Sequence, residues 1–189
     1  GHAECKDYLV NTLKKYADAV TTQEFMFSYG RPRRSATGTN IIGRFAPENP
    51  DRIILCAHWD TRPWADSDPD PANHNKPVLG ANDGASGVAV LLHMAELFAE
   101  QPPAIGIDIV FFDAEDAGSH NNNASWALGS KAFARDELHK YNPRYAILLD
   151  MVGDRDLRIP QEYHSLAYAP QLVEKVWIKA AELGVSEFV

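Results

Sequence analysis

Residues 110–118 read VFFDAEDAG. An apolar run of the kind that fills a buried strand ends at Phe112, and Asp113, Glu115 and Asp116 follow within four positions. Carboxylates crowded at one end of a hydrophobic strand repel one another and are costly to desolvate. An arrangement of this kind needs a counter-charge.

Strands and helices alternate on both sides of this stretch. Helical spacing covers Tyr8 to Ala19, with Leu9, Leu13 and Tyr16 on one face; Val20 to Tyr29 and Gly38 to Phe45 read as extended. Arg31 to Ser35 reads as a loop, Pro47 to Pro50 as a turn and Ile53 to Ala57 as a short apolar strand. Thr61 to Pro77, with four prolines, cannot form a regular element, and loops of that length are usually functional or disordered. A helix begins at Gly84, with Val88, Leu91, Leu92, Ala95 and Phe98 at core-face spacing. Ile105 to Phe112 follows as a strand, then Gly129 to Lys140 as a helix capped by Ser130. Tyr145 to Leu149 is a further strand, and Gln171 to Leu183 a helix ended by Gly184. The pattern predicts one α/β domain over residues 1–189: a mostly parallel, mixed sheet with helices on both faces. Such sheets bind ligands beyond the carboxyl ends of their strands.

Composition narrows the partners. The chain has 189 residues, 45% of them hydrophobic, and 26 acidic against 18 basic residues give a net charge of −8. That balance argues against nucleic acid or an anionic membrane as partner. No apolar run reaches the roughly 18–20 residues that span a bilayer, and the start, GHAECKDY, does not read as a signal peptide. Cys5 and Cys56 lack zinc-ribbon spacing; Cys56 lies in an apolar run and reads as a buried thiol.

The acids fall into a pattern. Strand 53–57 runs into His58, Trp59 and Asp60, strand 105–112 into Asp113, Glu115 and Asp116, and strand 145–149 into Asp150; Asp83 stands before the helix at Gly84. Parallel neighbours would bring all of these to one rim. Carboxylates with a histidine describe a divalent-metal site, because the ion reverses their repulsion. Imidazole shifts the preference from magnesium or calcium toward zinc. Each residue also has a plainer role: Asp83 as a helix cap, Asp113 bonding loop amides, Glu115 and Asp116 as solvated loop acids, Asp150 paired with Arg155, His58 as a satisfied polar group. His93, His120 and His74 read as outside any site, His74 as exposed. Trp59, Trp64 and Trp126 surround the proposed rim, either as packing or as pocket walls.

At these positions the sequence resembles a family. His58-x-Asp60, Gly80-Ala81-Asn82-Asp83 with Ser86-Gly87, Glu115-Asp116 and Leu149-Asp150 follow the order found in zinc-dependent aminopeptidases and the glutaminyl cyclases that share their fold. FFDAEDAG leading into Leu128-Gly129-Ser130 is similar to the cyclases. The resemblance implies a zinc-exopeptidase-like three-layer sandwich lacking its C-terminal portion. It implies zinc on Asp83 and Asp116, Glu115 as general acid/base, and Asp150 as a hydrogen-bonding catalytic acid or a second-zinc ligand. His58 would be a second-zinc ligand in a peptidase, and Asp60 would orient the site from behind its ligands. Two departures stand out: Asp116 replaces a more usual glutamate, and the family's last zinc ligand, a histidine, would fall beyond Val189.

Three functions are implied. The first is a one-zinc glutaminyl-peptide cyclotransferase, which turns an N-terminal glutamine into pyroglutamate with release of ammonia, its pocket lined by Trp59, Trp64 or Trp126. The second is a two-zinc aminopeptidase, and the third a non-catalytic binding module of the same fold. Peptide or protein N-termini would be the substrates, and the location would be extracytoplasmic.

Overall fold

The computed structural model describes residues 1–30 and 32–189; Arg31, at the head of the expected loop, lies outside them. The chain divides into two compact units, Gly1–Met151 and Val152–Val189.

The first unit holds a five-stranded sheet. Its strands are β1 (Ala19–Tyr29), β2 (Arg34–Phe45), β3 (Arg52–His58), β4 (Gly106–Phe112) and β5 (Ala146–Leu148), in the order β1-β2-β4-β3-β5. β4, β3 and β5 run parallel, as the βα alternation predicts; β1 and β2 form an antiparallel hairpin, and β2 also pairs antiparallel with β4. The sheet is therefore mixed. β2 begins at Arg34, inside the predicted loop, because hairpin pairing continues to Tyr29↔Arg34.

Both faces are covered. In β3 and β4 side chains alternate between faces. Ile53, Leu55, Ala57, Ile107, Ile109 and Phe111 pack with Leu9 and Leu13 of α1 (His2–Leu13) and with Val88, Leu91 and Ala95 of α2 (Ala85–Glu100). Ile54, Cys56, Val110 and Phe112 pack with Phe133 of α3 (Leu128–Asp136) and with Tyr141. Cys56 is buried, as its apolar run predicts, and burial pushes its thiol up to about 12.

One charge interrupts β4. Asp108 is fully buried and takes bonds of 2.6 and 2.8 Å from Arg52 and 3.1 Å from Arg44. Removing one partner from such a pair typically costs about 3–5 kcal/mol.

Two helices differ from their predicted spans. α1 starts and ends earlier than Tyr8–Ala19, since Asp18 already bonds Arg44 and Ala19 pairs with it as the first residue of β1. α3 stops at Asp136, with only a 3-10 turn at Leu138–Lys140 beyond it. Ser130 does not cap α3: that position falls to Ala127 at φ +54°, and the Ser130 hydroxyl donates to the Ala127 carbonyl. Residues 61–77 hold no regular element beyond a 3-10 turn at Pro71–Asn73, as their prolines predict.

The second unit contains α4 (Tyr163–Tyr168), which periodicity does not reveal, and α5 (Pro170–Glu182). Gly184 at φ +69° closes α5 as expected, with Val185 N–H bonding the Ala180 carbonyl. Trp177 meets Phe188 edge-on at 5.1 Å and donates to the Val189 carbonyl.

Candidate metal centre

Strand register builds the rim. His58 aligns with Phe112, and Cys56 with Leu148, so β3, β4 and β5 end at nearly one level. Bonds from Trp59 N–H to the Phe112 carbonyl and from Leu149 N–H to the Cys56 carbonyl extend that alignment past the strand ends. His58, Glu115, Asp116 and Asp150 consequently leave the sheet together.

The turn after β4 is held tightly. Asp113 accepts from Thr39 N–H at 2.7 Å and Ala114 N–H at 2.8 Å, and its carboxylate also meets His2 at 2.9 Å. This is the structural role expected of it. Ala114 sits at φ +55°, a strained conformation for a residue with a Cβ. That left-handed step turns the chain so that Glu115 and Asp116 follow side by side. Asp60 fixes both from below, accepting Glu115 N–H and Asp116 N–H at 3.0 Å each, one per carboxylate oxygen.

Asp83 comes from the loop before α2. It is not the cap: Gly84 occupies that position at φ +94°, and a Cβ there would stand 2.7 Å from the Asp60 carbonyl. Glycine thus lets the start of α2 approach the rim closely. Gly87 serves the same end, because a Cβ on it would meet the Leu149 carbonyl at 2.2 Å. The backbone leading to Asp150 lies directly against α2.

The donors form two groups that share one residue. His58, Asp83 and Asp150 offer ligand atoms within 4.8 Å of one another, and so do His58, Glu115 and Asp116. His58 Nε2 stands 3.0 Å from Asp83 and 3.4 Å from Asp150, and Nδ1 3.5 Å from Asp60. Both ring nitrogens are buried and face these carboxylates, yet none of the contacts has the alignment of a hydrogen bond. Buried polar atoms crowded together without aligned hydrogen bonds call for an explanation, and a bound ion is one. Asp83 and Asp116, expected to share a zinc, fall in different groups, joined through His58.

Electrostatics agree with a cation site. Burial, then the neighbouring Asp116, pushes the Glu115 carboxyl up to about 7. Burial and the charge of Asp83 also raise Asp116. Burial works to lower His58, but Asp150 and Asp60 outweigh it and hold the imidazole up at about 11. His58 in turn depresses Asp150. Beyond burial, the acids about His58 act on one another and on its imidazole as a concentration of negative charge, which a divalent cation would neutralise. The residues fit a metal of mixed oxygen and nitrogen preference.

The three tryptophans separate. Trp59 takes the packing role of the two expected for it: its ring is buried in the core, its indole N–H donates to the Thr39 carbonyl, and it packs on His2. Strand 53–57 continues one residue further than expected, to His58, and Trp59 remains on the packed side. Trp64 and Trp126 flank the guanidinium of Arg62, 5.3 and 4.8 Å from its carbon. Trp64, Arg62, Asp66, His74 and His120 also line a cavity of about 670 Å³. His74 is half-buried rather than exposed, because it turns back onto the Asp68 carbonyl at 2.8 Å. His93 lies within helix α2, as expected, and is exposed there.

Arg62 itself is not apparent from the sequence, where it reads as one cation in an irregular loop. Its nearest signal is position, two residues after Asp60 and two before Trp64. It binds Asp66 through both carboxylate oxygens, at 2.8 and 2.6 Å, holding that carboxyl at about 2.

Comparison with known proteins places this geometry. Residues 40–186 match the model of peptidase family M28. The glutaminyl cyclase of Tannerella forsythia superposes with a TM-score of 0.94 at 44% identity, over 100% of this chain and 67% of that one. A leucine aminopeptidase precursor of Bacteroides thetaiotaomicron gives 0.94 at 42%, over 100% and 67%. Aminopeptidase YwaD of Bacillus subtilis is 30% identical over 152 residues, 77% of this chain and 28% of that protein. The chain thus spans about two thirds of the length of the solved structures, and about a third or less of the curated relatives it matches. The zinc-exopeptidase-like fold read from the rim motifs is the fold observed, and the chain belongs to peptidase family M28.

Proposed function

We propose that the protein is a zinc-dependent glutaminyl-peptide cyclotransferase acting on peptide or protein N-termini outside the cytoplasm. The observation that carries the reading is the convergence of Glu115 and Asp116 with Asp83 and Asp150 about the buried imidazole of His58. The likeness to glutaminyl cyclases over the whole of this chain supports it.

Asp83 and Asp116 would hold zinc, which when bound polarises the γ-carboxamide carbonyl as a Lewis acid. The substrate supplies its own nucleophile. Its α-amine nitrogen bonds to the side-chain carbonyl carbon, and the carbon–nitrogen bond of the amide breaks. Glu115 takes the proton the amine loses and delivers it to the departing ammonia; a carboxyl raised toward neutrality by its surroundings suits both halves of that exchange. Asp150, facing it across His58, hydrogen-bonds the transferred group and keeps the exchange in line. Asp60 keeps Glu115 and Asp116 in register through their amides.

A second reading has an observation of its own. His58, Asp83 and Asp150 form a complete three-donor group, which would suit a second zinc and an aminopeptidase. Product analysis separates the two. The full-length protein with zinc should release ammonia from a glutaminyl peptide and leave a blocked N-terminus. Release of free leucine from leucyl peptides, without ammonia from glutaminyl ones, would overturn the cyclase reading.

A further inference from the structure

Asp60 grips the N–H side of the Glu115–Asp116 turn, and a matching grip exists on its carbonyl side. Arg62 Nη1 donates to the Asp116 carbonyl at 2.8 Å and to the Gly118 carbonyl at 3.0 Å. Nε and Nη2 are taken by Asp66, so four of the five N–H donors are in use. The side chain is only 13% exposed, and its guanidinium carbon stands over the rings of both Trp64 and Trp126. An arginine fixed by a bidentate carboxylate and two rings has little freedom left, and the carbonyls it binds inherit that rigidity.

We propose that Arg62 is a positioning residue for the metal-binding turn, holding Asp116 in ligating geometry through its backbone carbonyl. The inference rests on the assignment of Asp116 as a ligand. Asp60 and Arg62 lie two apart on one strand exit and clamp successive peptide units of the same turn, the anion on the amides of Glu115 and Asp116 and the cation on the carbonyls of Asp116 and Gly118. The pair also links the long loop to the site. Ala65 N–H bonds the Lys76 carbonyl and Val78 N–H the Arg62 carbonyl, closing the loop on itself, and Arg62 fastens that closed loop to the turn.

Charge and positioning predict opposite signs, which makes the role testable. Arg62 is a cation near a cation site, so removing it should tighten zinc binding if Coulomb forces alone mattered. Loss of a positioning group should instead weaken binding about 10- to 100-fold. Zinc dissociation constants of the full-length protein, from chelator competition, are compared for wild type, Arg62→Ala and Arg62→Lys, with the exposed Arg135→Ala as a control for net charge. Backbone hydrogen exchange is followed on the same proteins without metal. The expected result is weaker zinc binding in Arg62→Ala and a smaller loss in Arg62→Lys, which keeps the charge but not the fork. Faster exchange at Glu115–Gly118 should accompany both, with Arg135→Ala unchanged.

Zinc binding in Arg62→Ala as tight as wild type, or tighter, would overturn the proposal. Should that variant not fold, Arg62→Lys decides alone: unchanged affinity and unchanged exchange would overturn it equally. A wild-type protein that binds no zinc would sink the metal assignment instead, and the exchange measurement would still report whether Arg62 holds the turn.

Discussion

Asp60→Asn tests the floor of the site with a change of almost no volume. The carboxylate receives two amide hydrogen bonds at 3.0 Å, one on each oxygen. Bonds to a charged acceptor contribute about 1.5–3 kcal/mol each. Asparagine keeps one oxygen, so one amide retains a neutral bond worth about 0.5–1.5 kcal/mol. The other amide then faces an NH₂ group and goes unpaired, at about 1–3 kcal/mol. Two effects offset part of this. Asp60 contributes to raising both Glu115 and Asp116, so its neutralisation relieves that repulsion. Ala114 is also free to leave its strained φ of +55° once its neighbours are released. The net expectation is a loss of about 2–3 kcal/mol in the metal-free protein, taking these bond values together. Urea unfolding with an unchanged slope would report it as a lower midpoint, and zinc affinity should fall about 10- to 100-fold. A variant within about 0.5 kcal/mol of wild type, the scatter of neutral surface changes, that binds zinc normally would refute the clamp.

Other perturbations reach different parts of the account. Glu115→Gln should keep fold and zinc but lose about 10²- to 10⁴-fold in turnover; near-normal rates would make Glu115 a bystander. Gly87→Ala must push the Leu149 carbonyl away from a Cβ only 2.2 Å off. It should cost about 1–3 kcal/mol and displace Asp150, seen as a lower melting temperature together with reduced turnover. The His2–Asp113 pair predicts a pH dependence. His2 is raised above its ordinary 6.5 by its bond to Asp113, against the effect of burial. Its contribution is therefore fully present below about pH 6.5 and disappears as pH rises through the higher folded value. Stability measured across that window should decline in wild type and lose that component in His2→Ala; identical slopes would show that the pair contributes nothing.

Much of this was legible in the chain. The apolar run ending at Phe112 marks a buried strand whichever way its neighbours run, and the acids after it mark a rim. Local patterns of that kind survive because burial and turn chemistry act on neighbouring residues. The antiparallel hairpin of β1 and β2 was not legible, since strand direction is set by distant pairing rather than by alternation. Helical spacing carries α1 on to Ala19 because it does not register that Asp18 and Ala19 find partners at Arg44. Composition favours Ser130 as the cap, whereas a left-handed Ala127 fills the position. Position near the rim leaves Trp59 open to packing or to a pocket wall, and only the strand's continuation through His58 shows its ring turned into the core. Arg62 carries no motif at all; its importance lies in two backbone carbonyls more than 50 residues away in sequence.

The central claim is that the rim acids bind a catalytic zinc, and metal content tests it most directly. Full-length protein, equilibrated with zinc and freed of excess, is analysed beside Asp83→Ala, Asp116→Ala and Asp113→Asn. The account predicts about one zinc per chain in wild type and in Asp113→Asn, as a reaction needing a single Lewis acid requires, and almost none in either alanine variant. Zinc retained at the wild-type level in both alanine variants would contradict it.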